Sequence, residues 1–63
     1  SGARYEGDWL AGEMHGQGTY RFRTGRVYVG ELRDSKMHGY GREYDTDGGL
    51  LYEGQWRNGQ RAD

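Results

Sequence analysis

The chain has 63 residues, enough for one small domain that buries only about 60% of the surface its unfolded form exposes. It has no cysteine to form a disulfide or a thiolate zinc site, and nine basic against ten acidic residues give a net charge of -1, with no general pull toward nucleic acid or anionic membranes. Six tyrosines, two tryptophans and one phenylalanine are too many aromatics for a disordered tract, and thirteen glycines without a proline need a positional explanation. No apolar run approaches the roughly 20 residues of a membrane span, and nothing reads as a signal peptide. Ser1-Gly2-Ala3 reads as an added tail, and the chain is expected to be part of a longer array.

The first predicted strand lies near residues 4–9, where Tyr5, Gly7 and Trp9 alternate with Glu6 and Asp8. Leu10-Ala11-Gly12-Glu13-Met14 suits a hairpin loop with Gly12 at positive φ. A second strand is expected near 17–23, with Gly16, Gly18, Tyr20 and Phe22 facing one way and Gln17, Thr19, Arg21 and Arg23 the other. The third, near 27–33, repeats the first as Tyr28, Gly30 and Leu32. Its turn, Asp34-Ser35-Lys36, has serine in the glycine position and should avoid the left-handed region or strain slightly. Strands near 40–45 and 50–57 complete a five-stranded antiparallel meander without a helix, and the Asn58-Gly59 that follows is a strong hairpin signal.

Internal repetition organises these elements. Tyr5-Glu6-Gly7-Asp8-Trp9 returns as Tyr28-Val29-Gly30-Glu31-Leu32 after 23 residues and as Tyr52-Glu53-Gly54-Gln55-Trp56 after 24 more. Met14-His15-Gly16-Gln17-Gly18 returns as Met37-His38-Gly39-Tyr40-Gly41. The units run 5–27, 28–51 and a partial 52–63, and only Gly2 and Gly48 fall outside the glycine columns. Glycine leaves strand backbone bare, and a ring on the neighbouring strand can cover it. The extra residue of the second unit is expected as a bulge at Arg42-Glu43, which would keep Tyr44 on the face of Tyr28 and Leu32.

Tyr-Glu-Gly-x-Trp followed by His-Gly-x-Gly-x-Tyr resembles the MORN (membrane occupation and recognition nexus) repeat over residues 4 to 61. The resemblance implies an all-β fold, a single twisted antiparallel sheet of successive hairpins. It also implies scaffold work: self-association, docking of a protein segment in the aromatic groove, and contact with phosphoinositide membranes. The stretch from Glu43 through Gln55 is similar to the MORN segment preceding the SET domain of a lysine methyltransferase, which implies an appended regulatory role. The third unit departs from the family pattern, with Arg61-Ala62-Asp63 where Met-His-Gly is expected.

Each candidate for chemistry has a plainer reading. His15 and His38 share a column, but one repeat is about 9.6 Å at about 4.8 Å per strand, too far for adjacent ligands of one zinc without reaching side chains. Gly16-x-Gly18 and Gly39-x-Gly41 lack the following helix of a phosphate loop. Glu6, Asp8, Glu31 and Glu53 alternate with the aromatics and should face water, where no acid–base pair is tuned. No catalytic residue, metal or cofactor is expected.

Two surfaces remain. The aromatic column Tyr5, Trp9, Tyr20, Phe22, Tyr28, Leu32, Tyr44, Tyr52 and Trp56 has no second layer in the chain to cover it, and is the expected partner-binding face. Arg21, Arg23 and Arg26 form the basic concentration that would meet anionic phospholipid. The expected function is a non-catalytic interaction module for a protein partner or a second copy, in the cytoplasm, at a membrane or cytoskeleton. The C-terminal edge is expected to be open, with Trp56 mattering more than Trp9 for association.

Overall fold

Three two-residue turns set the hairpins. Both residues of each sit at positive φ: Ala11 and Gly12 at 53° and 82°, Asp34 and Ser35 at 53° and 64°, Asn58 and Gly59 at 51° and 86°. This type I′ geometry matches the right-handed twist of the strands it joins. Of the two outcomes expected for the serine in this turn, Ser35 takes the second and adopts the left-handed region. Its backbone N–H donates to the Met14 carbonyl (3.0 Å) and its Oγ accepts from the Met14 N–H (3.2 Å). Those two bonds hold the conformation.

The computed structural model describes residues 2–62. The strands are β1 (Arg4–Leu10), β2 (Glu13–Arg21), β3 (Val27–Arg33), β4 (Lys36–Tyr44), β5 (Leu50–Arg57) and β6 (Gln60–Arg61). They form one antiparallel sheet in sequential order, with no helix among the described residues. There are six strands rather than five. β2 and β4 begin earlier than the sequence pattern indicates because the tight turns leave no loop residues. β6 forms where a glycine strand is missing.

Register aligns the repeat columns into rows across the sheet. Gly7 faces Gly18, Gly18 faces Gly30, Gly30 faces Gly41, and Gly41 faces Gly54. The adjacent row runs Tyr5, Tyr20, Tyr28, Glu43, Tyr52. The tyrosines of β1, β3 and β5 lean over the glycine row and donate their hydroxyls to main-chain carbonyls three residues on. The bonds are Tyr5 to Asp8 (2.7 Å), Tyr28 to Glu31 (2.6 Å) and Tyr52 to Gln55 (2.9 Å). A β-carbon on Gly18 would sit 2.7 Å from Cζ of Tyr5, and one on Gly41 would run into the Tyr28 ring. These two glycines are therefore set by contact.

Each glycine strand also carries a bulge. Between Gly7 and Trp9 stands only Asp8, whereas His15, Gly16 and Gln17 lie opposite. The same excess places His38, Gly39 and Tyr40 against Glu31. Gly39 takes a φ of 87°, and its following N–H, that of Tyr40, donates to the Glu31 carboxylate at 3.3 Å. Asp8 does the same for Gln17 at 3.3 Å. Of the four acids read as solvated, Asp8 and Glu31 are caps for their neighbours' bulges. Tyr28, Leu32 and Trp56 are the buried core, with Tyr5, Met14, Tyr20, Phe22, Met37 and Tyr52 packed against it.

The extra residue of the second unit is not at Arg42-Glu43. Val27, Tyr28 and Val29 face Tyr44, Glu43 and Arg42 without a slip. The slip lies in β5: Glu43 faces Tyr52 while Tyr44 faces Leu50, leaving Leu51 as the additional residue. Leu51 lies on an outer edge that β6 pairs only at Trp56 and Arg57, so a bulge there breaks no second ladder. Tyr44 consequently stands on the polar face rather than the aromatic one. Glu43 takes the tyrosine-row position, neutralised by Arg26 at 3.4 Å and Arg61 at 2.8 Å.

Tyr28→Phe, which removes one part-buried hydrogen bond, should lower the unfolding free energy in urea by about 1 kcal/mol. Gly41→Ala, which forces the Tyr28 ring aside, should lower it by about 3 kcal/mol. Equal losses would show that ring placement on glycine is not the dominant contact. Ala11→Asn should raise the melting temperature, because asparagine tolerates the left-handed first turn position better than alanine.

Burial, and secondarily the Glu31 charge, pushes the Tyr28 hydroxyl up to about 12. A folded pKa above the unfolded value near 10 means this stabilisation is complete below pH 10 and is lost as pH rises toward 12. Alkaline unfolding followed by circular dichroism should show that limb, and Tyr28→Phe should flatten it.

Candidate functional site: the aromatic face

The sheet divides the chain's chemistry between two faces. On one lie the glycine and tyrosine rows with Phe22, Leu32 and Trp56. On the other lie Thr19, Arg21, Val27, Val29, Tyr40, Arg42, Tyr44 and Glu53. The molecule measures 33 × 31 × 14 Å. A second packed layer would add about 10 Å to that thickness. The aromatic face therefore has no second layer over it: its own side chains close over Tyr28, Leu32 and Trp56 and leave Trp9 exposed.

Its rings pack edge to face in three sets: Tyr5 on Trp9 (5.0 Å), Tyr20 on Phe22 (4.8 Å), and Trp56 with both Tyr28 (5.2 Å) and Tyr52 (5.3 Å). Edge-to-face contact places positive ring edges against negative faces. Between the second and fourth strands this surface dips into a groove of about 200 Å³ lined by Met14, Tyr20, Phe22, Leu32, Met37 and the turn residues Ser35, Lys36 and Gly59. Of the residues expected on this face, Tyr5, Trp9, Tyr20, Phe22, Tyr28, Leu32, Tyr52 and Trp56 are brought together, and Tyr44 is not. Met14 and Met37 were the omission. Their recurrence after 23 residues is visible in the sequence, but the period-two pattern breaks at the bulge and hides which face they share with the rings.

The two tryptophans are in opposite states. Trp56 is 5% exposed and donates its indole N–H to the Gly41 carbonyl at 3.2 Å, whereas Trp9 is 59% exposed. Trp56 is thus a core residue of this chain, and Trp9 is the open one. The C-terminal edge is also partly closed. Trp56 and Arg57 pair with Arg61 and Gln60, and the Ala62 N–H donates to the Gln55 carbonyl at 2.9 Å. The Arg61 guanidinium lies 4.9 Å from the Tyr52 ring centroid and bonds Glu43, closing the last hairpin in place of a methionine. Asp63, part of that departure from the repeat pattern, lies outside the described residues.

The arginine cluster is divided by the sheet. Arg26 turns to Glu43 on the aromatic face, Arg21 lies beside Thr19 and Val29 on the polar face, and Arg23 is exposed in the turn between β2 and β3. The three do not form one basic surface. His15 and His38 line a common recess with Gly16, Gln17, Glu31, Leu32 and Arg33. Among the described residues, no three of His, Asp and Glu meet to hold a metal ion. On the polar face, Tyr40 donates to the Glu53 carboxylate, and Arg42 Nε is 3.2 Å from the same oxygen. The Tyr40 bond, with Arg42 adding its charge, holds the Glu53 carboxyl below the usual carboxylate range. That acceptor in turn raises the Tyr40 hydroxyl.

Hairpins of one grammar, stacked edge to edge with glycine under tyrosine, define a tandem β-hairpin repeat module. The sequence matches the MORN repeat over residues 5–25, 28–50 and 52–62, and the chain belongs to the MORN-repeat family. It is 38% identical over 63 residues to rat (Rattus norvegicus) alsin, covering 92% of this chain and 4% of alsin. It is 36% identical over 61 residues to the human ALS2 C-terminal-like protein, covering 90% of this chain and 6% of that protein. It is 46% identical over 46 residues to MORN repeat-containing protein 3 of Xenopus laevis, covering 64% of this chain and 19% of the relative. The chain thus spans a small fraction of each relative.

Proposed function

We propose that this chain is a non-catalytic protein-interaction module that seats an apolar side chain of a partner polypeptide in the groove on its aromatic face. The observation that carries this reading is the uncovered groove of two methionines, two aromatic rings and Leu32 on a sheet one layer deep. Apolar clefts framed by polar rims are the usual signature of protein-binding surfaces. Methionine suits the role because its unbranched, polarisable thioether adapts to differently shaped partners. Ser35 of the turn and Lys36 at the start of β4 supply the polar rim. Kinship with segments of long proteins accords with a module whose work is to connect.

Selection from a random displayed-peptide library, with the selected peptides titrated against methyl-labelled protein, tests the reading. Selected sequences should share an apolar anchor and shift the methyl signals of Met14 and Met37. A Met14→Gln/Met37→Gln variant that retains its fold should bind about tenfold more weakly. Peptides that leave both methyl signals unmoved, or bind the variant equally, would defeat it.

A further inference from the structure

We propose that the polar face of the sheet, opposite the aromatic groove, carries a second docking trough. Its occupant is an extended segment of another protein with acidic, aliphatic and basic side chains at alternate positions. The proposal concerns this second face and does not depend on the groove. Strand alternation gives this face to water, yet Val29, Tyr40 and Leu50 on it are 39%, 41% and 53% exposed. Two rows of side chains cross it. Arg21, Val27, Tyr44 and Leu50 face one another in one row, and Thr19, Val29, Arg42 and Glu53 in the next. The bulge at Leu51 is what brings the Tyr44 ring into the first row.

These strands and the loop after β4 together enclose a depression of about 600 Å³. Val27, Val29 and Tyr44 make its floor, Arg21 stands at one side, and Asp45, Thr46 and Asp47 border the other. The loop side is held in place. The Asp45 N–H donates to the Gly49 carbonyl (2.7 Å), and the Gly48 N–H donates to the Asp45 carbonyl (3.0 Å). Asp45 and Asp47 each accept a loop amide through Oδ1, from Thr46 at 2.7 Å and from Gly49 at 3.2 Å. A β-carbon on Gly25 would lie 3.2 Å from Cγ2 of Thr46, so the loop also rests against the turn between β2 and β3. A recess built this way is preformed, and binding need not order it.

Charge specifies the occupant. The ion pairs among the described residues are Arg26 with Glu43, Arg42 with Glu53 and Arg61 with Glu43. Arg21 and the two aspartates are in none of them, so each side of the apolar floor offers a charge, positive on one and negative on the other. The cross-strand neighbours of Arg21 are Arg4 and Val27, which adds to the positive side. Arg21 lies on β2 and the acidic loop joins β4 to β5. Two to three strand spacings, roughly 10–14 Å, therefore separate the opposite charges. In an extended chain, side chains at i and i+4 point the same way about 13 Å apart. A carboxylate at i thus reaches Arg21, an aliphatic side chain at i+2 covers Val27 and Val29, and an amine at i+4 meets Asp47. Nucleic acid and anionic lipid lack the cation that the aspartates select. Apolar surface rimmed by charges of both signs suits a protein segment of matching pattern.

The probe is a capped synthetic peptide, Glu-Ser-Ile-Ser-Lys, titrated into the 63-residue protein at low ionic strength and followed by methyl resonances. The Val27 and Val29 signals should move while those of Met14 and Met37 stay. Replacing the peptide isoleucine with serine should weaken binding about tenfold, because its buried apolar area is lost. Arg21→Glu, at an exposed strand site, should weaken it about fivefold. Asp47→Asn, which keeps an acceptor for the Gly49 N–H, should weaken it about threefold. A peptide with lysine in place of glutamate should bind the Arg21→Glu variant better than the unsubstituted protein, a rescue that damage to the fold could not produce. No movement of the two valine signals, equal binding of the serine peptide, or indifference to both substitutions would each overturn the proposal. So would movement of the same valine signals on concentrating the protein alone, which would assign the trough to a second copy.

Discussion

A tyrosine ring laid on a glycine of the neighbouring strand is the contact on which this sheet depends. Among the described residues three hydrophobic side chains are buried, Tyr28, Leu32 and Trp56, far short of the layered core that stabilises larger domains. Its substitute is a row of five facing glycines, Gly7 to Gly54, over which Tyr5, Tyr28 and Tyr52 fold back and bond to their own main chain. The bare backbone lets the rings come close enough to exclude water from both. The ring's hydroxyl is satisfied by a carbonyl three residues on, so burying it leaves no orphaned polar group. Glycine is a poor strand former in isolation. Here its cost is offset by the ring it admits.

The remaining repeat positions serve that contact. Bulge glycines Gly16 and Gly39 re-aim the strand just before it reaches the glycine row. Asp8 and Glu31 cap the amides those bulges free. The left-handed turns reach upstream to the methionine carbonyls, so each unit is fastened to its predecessor by a turn as well as by a ladder. Each strand contacts its sequence neighbours, which is the quasi-one-dimensional logic of repeat proteins. In such a stack the terminal units differ from the interior. In this chain an arginine closes the last hairpin over Tyr52, and the tryptophan of the first strand is exposed.

Glu43 shows how a departure from the repeat is absorbed. A carboxylate in a row of tyrosines would be expelled if left alone, since an unpaired buried charge is strongly disfavoured. Arg26 from the turn before β3 and Arg61 from β6 converge on it, one on each oxygen. The same two arginines are thereby withdrawn from any basic surface. Arg26 was grouped with Arg21 and Arg23 by nearness in sequence. Alternation of strand faces and this ion pair separate them.

Much of this was legible in the residues. Period-two alternation, the recurring Tyr-x-Gly and His-Gly-x-Gly, and Asn58-Gly59 specify antiparallel hairpins in chain order, because those are local properties of backbone and turn chemistry. The sequence by itself also determined the glycine columns and most of the aromatic face. Tertiary structure decided what depends on pairing across strands. A single extra residue fits either strand of a pair equally well in the sequence. It went to Leu51 because that edge carries no second ladder, and so Tyr44 and Glu43 exchanged faces. Tertiary structure also decided that identical columns have unequal fates. Trp9 and Trp56 are the same letter in the same motif, and one is open while the other is core because Trp56 faces Gly39 and packs on the Tyr28 ring, whereas Trp9 among the described residues meets Met14 and Tyr5.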